Sequence, residues 1–376
     1  MLSFLNWRKY LLLLPCVWGS IGWAQSVVFI NPGQKTEAYW RSAANVMQAA
    51  DNSLGMRLEV AFMERDHTHN IDFVRTLIDR EPAKRPDYVI LSNDYNMAST
   101  LLPMLDQAGI KSFLAFSGIL SNSEWHQIGE PRDRLRHWIG SLEPLAEEIG
   151  YRTARELIDL GRARKLYASD GKLHLLAIAG DRSTPSSILR TQGMRRAAGE
   201  AEDIVLDQVV YADWSRALAR EKAEWLYARH PDAHLLWAGN DLMAFGAMEA
   251  LERKGGVPGR NILFSGVNTS PEALQAIRNG RLASLSGGHF TPGAWAMVLI
   301  HDYHRGRDFI DEGVSLRRSM SIQFTPEDAR RFSERFGQDH FDIDFRPFSK
   351  VLNPALRTYD FSLRRLLDAP PARKQP

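Results

Sequence analysis

Cysteine is nearly absent: the 376 residues hold only Cys16, inside the first apolar run, so no disulfide closes within this chain and the fold must rest on its core. An excess of one charge is missing too. Lys+Arg 47 against Asp+Glu 45 leaves a formal +2 spread along the sequence, with no basic patch to hold nucleic-acid phosphates. Beyond the amino terminus no stretch approaches the ~20 apolar residues of a membrane span. A Gly-x-Ser-x-Gly elbow, a His-Glu-x-x-His helix and a Gly-x-x-x-x-Gly-Lys loop are all lacking, which disfavours an enzyme. Asp66-His67-Thr68-His69 and the pair His301 with His304 have ligand-like spacing but no third partner, so neither a metal nor a cofactor is expected. What is present, 44% apolar and 24% charged residues, is the composition of a globular protein of two domains plus extensions.

The first residues differ from the rest. Trp7-Arg8-Lys9 precedes an apolar run over 10–17 and then Gly22-Trp23-Ala24, a small-x-small pattern before Gln25. Residues 1–24 read as a cleavable signal peptide that directs the chain to a bacterial periplasm. Cleavage removes Arg8 and Lys9 and leaves 45 basic against 45 acidic residues. A lipid anchor at Cys16 is the rival reading, opposed by Pro15 beside the cut.

Short runs rich in β-branched and aromatic residues recur between helical patterns. The first round of expected strands is 27–30, 58–62, 88–91, 113–116 and 138–139, and the second is 173–178, 204–210, 235–237, 262–264 and 282–285. Between the first two, Tyr39, Ala43, Val46, Met47, Ala50 and Leu54 fall at helical steps, with Gly55 as the stop. A helix over 292–303, a strand over 319–324 and a helix over 326–336 follow, then an irregular tail from Pro347. Two rounds of alternation predict an α/β protein of two doubly wound parallel-sheet lobes. Such sheets bind ligands at the carboxyl ends of their strands, so the loops after strands are where a site belongs.

Those loops carry aromatic and hydrogen-bonding residues. The first holds Asn31-Pro32-Gly33-Gln34-Lys35-Thr36-Glu37 and then Tyr39-Trp40. Tyr39 belongs to the apolar stripe and reads as core, whereas Trp40, one step off it, is placed to stack on a ring-shaped ligand. Arg190 offers a planar fork of donors suited to vicinal hydroxyls or a carboxylate. Trp214 follows the possible N-cap Asp213; Asn240 either bonds a hydroxyl or caps a helix; Asn268 sits in another polar turn.

These residues carry a resemblance. Gly239-Asn240-Asp241-Leu242-Met243-Ala244-Phe245-Gly246-Ala247 resembles the Asn-Asp-x-Met-Ala-x-Gly-Ala segment of type I periplasmic binding proteins of the ribose and galactose class. Gly266-Val267-Asn268 is similar to their Gly-Phe-Asp turn, Arg190 with Gly193-Met194 to their Arg-x-x-Gly-Phe element, and Ala212-Asp213-Trp214 to a segment whose aromatic stacks on the sugar. The first loop, Lys35 and Glu37 apart, resembles that of the periplasmic autoinducer-2 receptors. The resemblance implies a cleft lined by Trp40, Arg190, Trp214, Asn240 and Asn268, with Lys35, Glu37 and Tyr39 from the first loop. It also implies three crossovers, placed near Gly140, Gly288 and Arg317. These divide the chain into one lobe of 25–139 plus 289–316, a second of 140–288 plus 317–346, and a tail of 347–376. The expected function is capture of a small polar, sugar-like ligand for an inner-membrane ABC transporter permease. The periplasmic domain of a sensor is the alternative partner, and an enzyme on the same scaffold the alternative class. The charged pair Lys35 and Glu37 further suggests a ligand with an ionic or amino group.

Overall fold

The protein is described here by a computed structural model covering residues 24–337 and 340–371; the expected signal peptide, Ala24 excepted, lies outside the described residues. The first half alternates β1 (Ser26–Asn31), α1 (Ala38–Leu54), β2 (Arg57–Phe62), α2 (His67–Ile78), β3 (Tyr88–Leu91), α3 (Ala98–Gln107), β4 (Lys111–Ala115), α4 (Asn122–Ile128) and β5 (Trp138–Pro144). The second continues through α5 (Ala146–Ala163), β6 (Leu173–Ala179), α6 (Pro185–Gly199), β7 (Ile204–Tyr211), α7 (Arg216–Arg229), β8 (Leu235–Ala238), α8 (Asp241–Arg253), β9 (Leu263–Val267), α9 (Pro271–Arg278) and β10 (Ser284–Gly287). Then come α10 (Pro292–His304), β11 (Ser315–Arg318), β12 (Ile322–Gln323), α11 (Pro326–Phe336) and, in the tail, α12 (Leu363–Asp368).

Two six-stranded sheets result. Their orders are β2-β1-β3-β4-β5-β11, parallel throughout, and β7-β6-β8-β9-β10-β12, parallel except for β12. Every residue of β3 and β8 is buried, as expected for strands covered by helices on both faces. Helix α1 ends where Gly55 turns left-handed at φ 67° and its N–H reaches the Asp51 carbonyl. In the second lobe, Gly150 and Gly193 let α5 and α6 touch through their backbones: a Cβ on Gly150 would come within 1.9 Å of the Arg190 carbonyl oxygen. That contact fixes where Arg190 stands.

The chain passes between the sheets three times, at Leu145, over 288–291 and over 319–321. The first passage, placed near Gly140 from sequence, falls after Pro144 instead, because β5 stays in the first sheet for all of its 7 residues, flanked by β4 and β11. Likewise the strand expected over 319–324 is shortened to Ile322 and Gln323, which pair with β10 in the second sheet, because 319–321 form the third passage; the preceding Ser315–Arg318, not expected as a strand, is β11 in the first sheet. The segment from Phe345 onward, the tail included, packs on both lobes. Phe345 N–H donates to Ser53 on α1, Lys350 and Tyr359 bond Asp302 on α10, and Asp368 pairs with Arg331 on α11. Phe345, Phe348 and Phe361 surround the buried Trp295.

Candidate functional site

The carboxyl ends of both sheets face a shared cleft with about 680 Å³ free of protein atoms, partly open to solvent. On the first lobe the β1–α1 loop folds back over its own helix. Asn31 accepts from the Gly33 N–H at 3.1 Å and donates to the Trp40 carbonyl at 3.1 Å, drawing Gly33 onto the indole. A Cβ on Gly33 would stand 1.9 Å from Trp40 Cδ1. Trp40 is 4% exposed, with Phe116 edge-on at 5.2 Å, and both line the cleft. The two aromatics of the first turn are thus placed otherwise than their helical positions suggest. Trp40 joins the core while keeping contact with the cleft, and Tyr39 leaves the stripe to donate from its hydroxyl to the His289 carbonyl at 3.0 Å. Burial pushes the Tyr39 phenol far above its usual range, so it stays a neutral donor.

The charged groups of this lobe are matched to one another. Glu37 accepts a two-pronged bond from Arg65, at 2.8 Å to Nε and 2.6 Å to Nη2. Arg65 also lies 3.9 Å from the buried Asp94, which accepts from Ser92 Oγ at 2.7 Å. Burial raises the Asp94 carboxyl, against the pull of Arg65 and Ser92.

From the second lobe, Trp214 donates its indole N–H to Asp181 at 2.7 Å, and a Cβ on Gly180 would meet the ring at 2.4 Å. Burial alone would raise Asp181, but bonds from the Thr184 and Ser183 backbone and from Trp214 hold it below the usual carboxylate range. Arg190 is 5% exposed; one arm donates to the Gly239 carbonyl at 3.0 Å and its Nε has no partner. Asn240 uses its oxygen to cap α8 through the Met243 N–H at 2.8 Å. Asp241 accepts from Asn268 Nδ2 at 2.8 Å and from Ser270, and burial raises its carboxyl.

Seven of the residues singled out from sequence therefore line one cleft: Glu37, Tyr39, Trp40, Arg190, Trp214, Asn240 and Asn268. Lys35 does not. It is exposed on the loop rim, its backbone N–H bonded to Glu64, and Glu37 is paired with Arg65 instead. Sequence reasoning missed Arg65, Asp94, Phe116, Asp241 and His289, which also line the cleft. Arg65, Asp94 and Phe116 follow β2, β3 and β4, so the loop-after-strand rule covered their places; nothing in their immediate sequence marked them. The histidine clusters are occupied elsewhere: Asp66 caps α2 through Thr68, and buried His301 bonds Asp302. Among the described residues no group of acidic, histidine or cysteine side chains could hold a metal, and no helix is long and apolar enough to cross a membrane.

Two α/β lobes joined by three passages, with aromatic and hydrogen-bonding groups converging between them, match a known family. A model described as a periplasmic binding protein domain fits residues 27–308. The chain belongs to that family. A solved periplasmic sugar-binding protein from Pseudomonas fluorescens is 38% identical, with a TM-score of 0.81 over 91% of this chain and 99% of that one. Among curated relatives, a D-galactose/methyl-galactoside binding periplasmic protein of Haemophilus influenzae is 30% identical over 120 residues, 30% of this chain and 34% of that protein. A ribose import binding protein of Salmonella typhimurium is 30% identical over 112 residues, 30% of this chain and 36% of that protein. The chain thus spans about a third of the length of these two relatives, and the matches fall in the ribose and galactose class of type I periplasmic binding proteins.

Proposed function

We propose that this protein is a periplasmic, non-enzymatic receptor that clamps a small neutral sugar between its lobes and presents it to an ABC transporter permease. The observation that carries this reading is the pair of indoles, Trp40 from one lobe and Trp214 from the other, each backed by a glycine and facing one cleft. A sugar ring offers two C–H faces for such surfaces and a rim of hydroxyls for Arg190, Asp94, Asn240 and Asn268. The identity to the Pseudomonas fluorescens sugar-binding protein supports the ligand class. The first loop offers the ligand no free charge. The ionic or amino ligand suggested by Lys35 and Glu37 loses its basis, since Arg65 answers Glu37 and Lys35 lies outside the lining. A ligand that touches both lobes favours the closed form by its extra contacts there, and the permease reads that closure.

The test is a thermal-shift and calorimetric panel of D-ribose, D-galactose, D-allose, L-arabinose and myo-inositol against purified protein. One member is expected to raise the midpoint, to lose affinity in Trp214→Ala, and to be recovered chemically unchanged. No shift with any member, or equal binding by Trp214→Ala, would refute the reading.

A further inference from the structure

The segment from Phe345 to Ala369 runs from one lobe to the other outside the three passages, and its two holds differ in kind. On the first lobe the hold is buried. Asp302, 0% exposed on α10, accepts from Ser349 Oγ, from the Lys350 N–H and from the Tyr359 hydroxyl, and Lys350 Nζ lies 2.8 Å from Glu312. Helix α10 itself packs on α1 and on β3, β4 and β5 of that lobe. On the second lobe, α12 meets α11, which packs on α9, through charges that stay largely in water. Arg364 lies 3.7 Å from Asp328, Asp368 pairs with Arg331, and Arg335 donates to the Ala369 carbonyl at 2.8 Å. The side chains of Arg364 and Arg331 are 61% and 47% exposed. Between the two holds the segment crosses the hinge: buried Leu363 lies on Gly288 of the second passage, where a Cβ would come 2.8 Å from Leu363 Cδ2 and 2.6 Å from the Met320 carbonyl oxygen of the third.

The lobes are closed in this arrangement, since Trp40 and Trp214, from opposite sides, are 4% and 9% exposed. We infer that the segment is a strap across the hinge, seated permanently on the first lobe, with the charged face of α12 as a catch on α11 that holds the second lobe closed and lets go when the lobes part. The reason is unequal strength. Pulling Asp302 from its three donors would strand a carboxylate in the interior, whereas an exposed ion pair exchanges its partner for water at little cost. Movement of one lobe against the other therefore breaks the contacts between α12 and α11 first, and what they contribute is lost from the closed form alone. The inference rests on the hinge of the receptor reading and not on which sugar binds.

The experiment needs no ligand. Cys16 is the only native cysteine, so in a Cys16→Ser background spin labels on Lys35→Cys and Arg182→Cys, exposed in the loops after β1 and β6, read the distance across the mouth of the cleft. The variant is Arg364→Glu with Asp368→Arg, which keeps the charge pairing of positions 364 and 368 within α12 and sets like charges against Asp328 and Arg331 on α11. Wild type is expected to show mainly the short distance. The exchange should raise the ratio of long to short about threefold to tenfold, a few-fold for each exposed pair, and adding Arg331→Glu should return part of it. A wild-type distribution already at the long distance overturns the strap; so does one that the exchange leaves in place, even if the variant melts lower. The sugar panel is judged apart. Sugars that bind wild type and variant with equal affinity leave the receptor reading standing while the strap falls, and failure of every sugar to bind removes that reading while the ligand-free comparison still decides the strap.

Discussion

Glu143 lies at the end of β5, next to the first passage between the lobes, and its carboxyl is wedged over Gly118, whose Cβ would stand 1.8 Å from Oε1. Burial pushes it up to about 7, against the opposing pulls of Arg317, 3.9 Å away on β11, and of the Gly118 N–H. In the unfolded chain the same group titrates near 4.5. Between these values the folded protein holds a proton that the unfolded chain has released, so stability falls as pH rises, by about 1.4 kcal/mol per unit. The whole step is about 3 kcal/mol, fully present below pH ~4.5 and gone above pH ~7. Glu143→Gln keeps an acceptor for Gly118 and cannot ionise. Its stability relative to wild type should therefore rise by about that amount from pH 4.5 to pH 8. Urea denaturation at half-unit intervals measures the difference directly. Parallel pH profiles for the two proteins would show that the buried carboxyl is hydrated and the reasoning wrong.

Gly180→Ala drives a methyl into Trp214, 2.4 Å from the ring, and should tilt the indole off Asp181; calorimetry is expected to show at least about a tenfold loss of sugar affinity, and unchanged affinity would remove the backing role. Lys35→Ala should leave affinity within about twofold, whereas Arg65→Ala, which strands Glu37 and Asp94, should lower it about tenfold or more; the reverse order would restore the first-loop lysine as a ligand group. Phe361→Ala should cost about 3–5 kcal/mol in denaturant unfolding, because the ring is 3% exposed and lies 5.6 Å from Trp295; a loss below about 0.5 kcal/mol would mean that the tail is peripheral.

The parts legible in the sequence were those whose cause is local. Helix α1 showed its apolar stripe and its glycine stop, and the strands of both lobes showed as short apolar runs between helical patterns. Strand β5 was read as Trp138-Ile139 alone, because Gly140, Ser141 and Glu143 dilute the apolar signal although all are buried between β4 and β11. Strand β11, Ser315–Arg318, carries two arginines and sits at a sheet edge, where burial writes no pattern. The Glu37–Arg65 pair joins loops 28 positions apart, and such a pairing has no signature in either segment. The loop-after-strand rule found the cleft; what it could not supply was which groups within the cleft answer one another. His289 stands two residues after β10 and three before α10, so the same rule covered its place too, and nothing in its immediate sequence marked it.

The backbone itself marks the same cleft. Arg65, Phe116, Trp214 and Asn268 all line it, and all are non-glycine residues with φ between 61° and 112°. Each follows a strand of one sheet or the other, and each holds a conformation that costs roughly 1–3 kcal/mol when nothing compensates it. Arg65 has its bonds to Glu37, Trp214 its bond to Asp181 and its seat on Gly180, Asn268 its bond to Asp241, and Phe116 its packing on Phe29 and Trp40. The compensation in every case comes from a distant segment, so the strained turns are set by the folded lobes rather than by the ligand. On the proposed receptor reading, a cleft built this way keeps its loops on binding, and the adjustment left to a ligand is the angle between the lobes, carried by the passages at Leu145, 288–291 and 319–321.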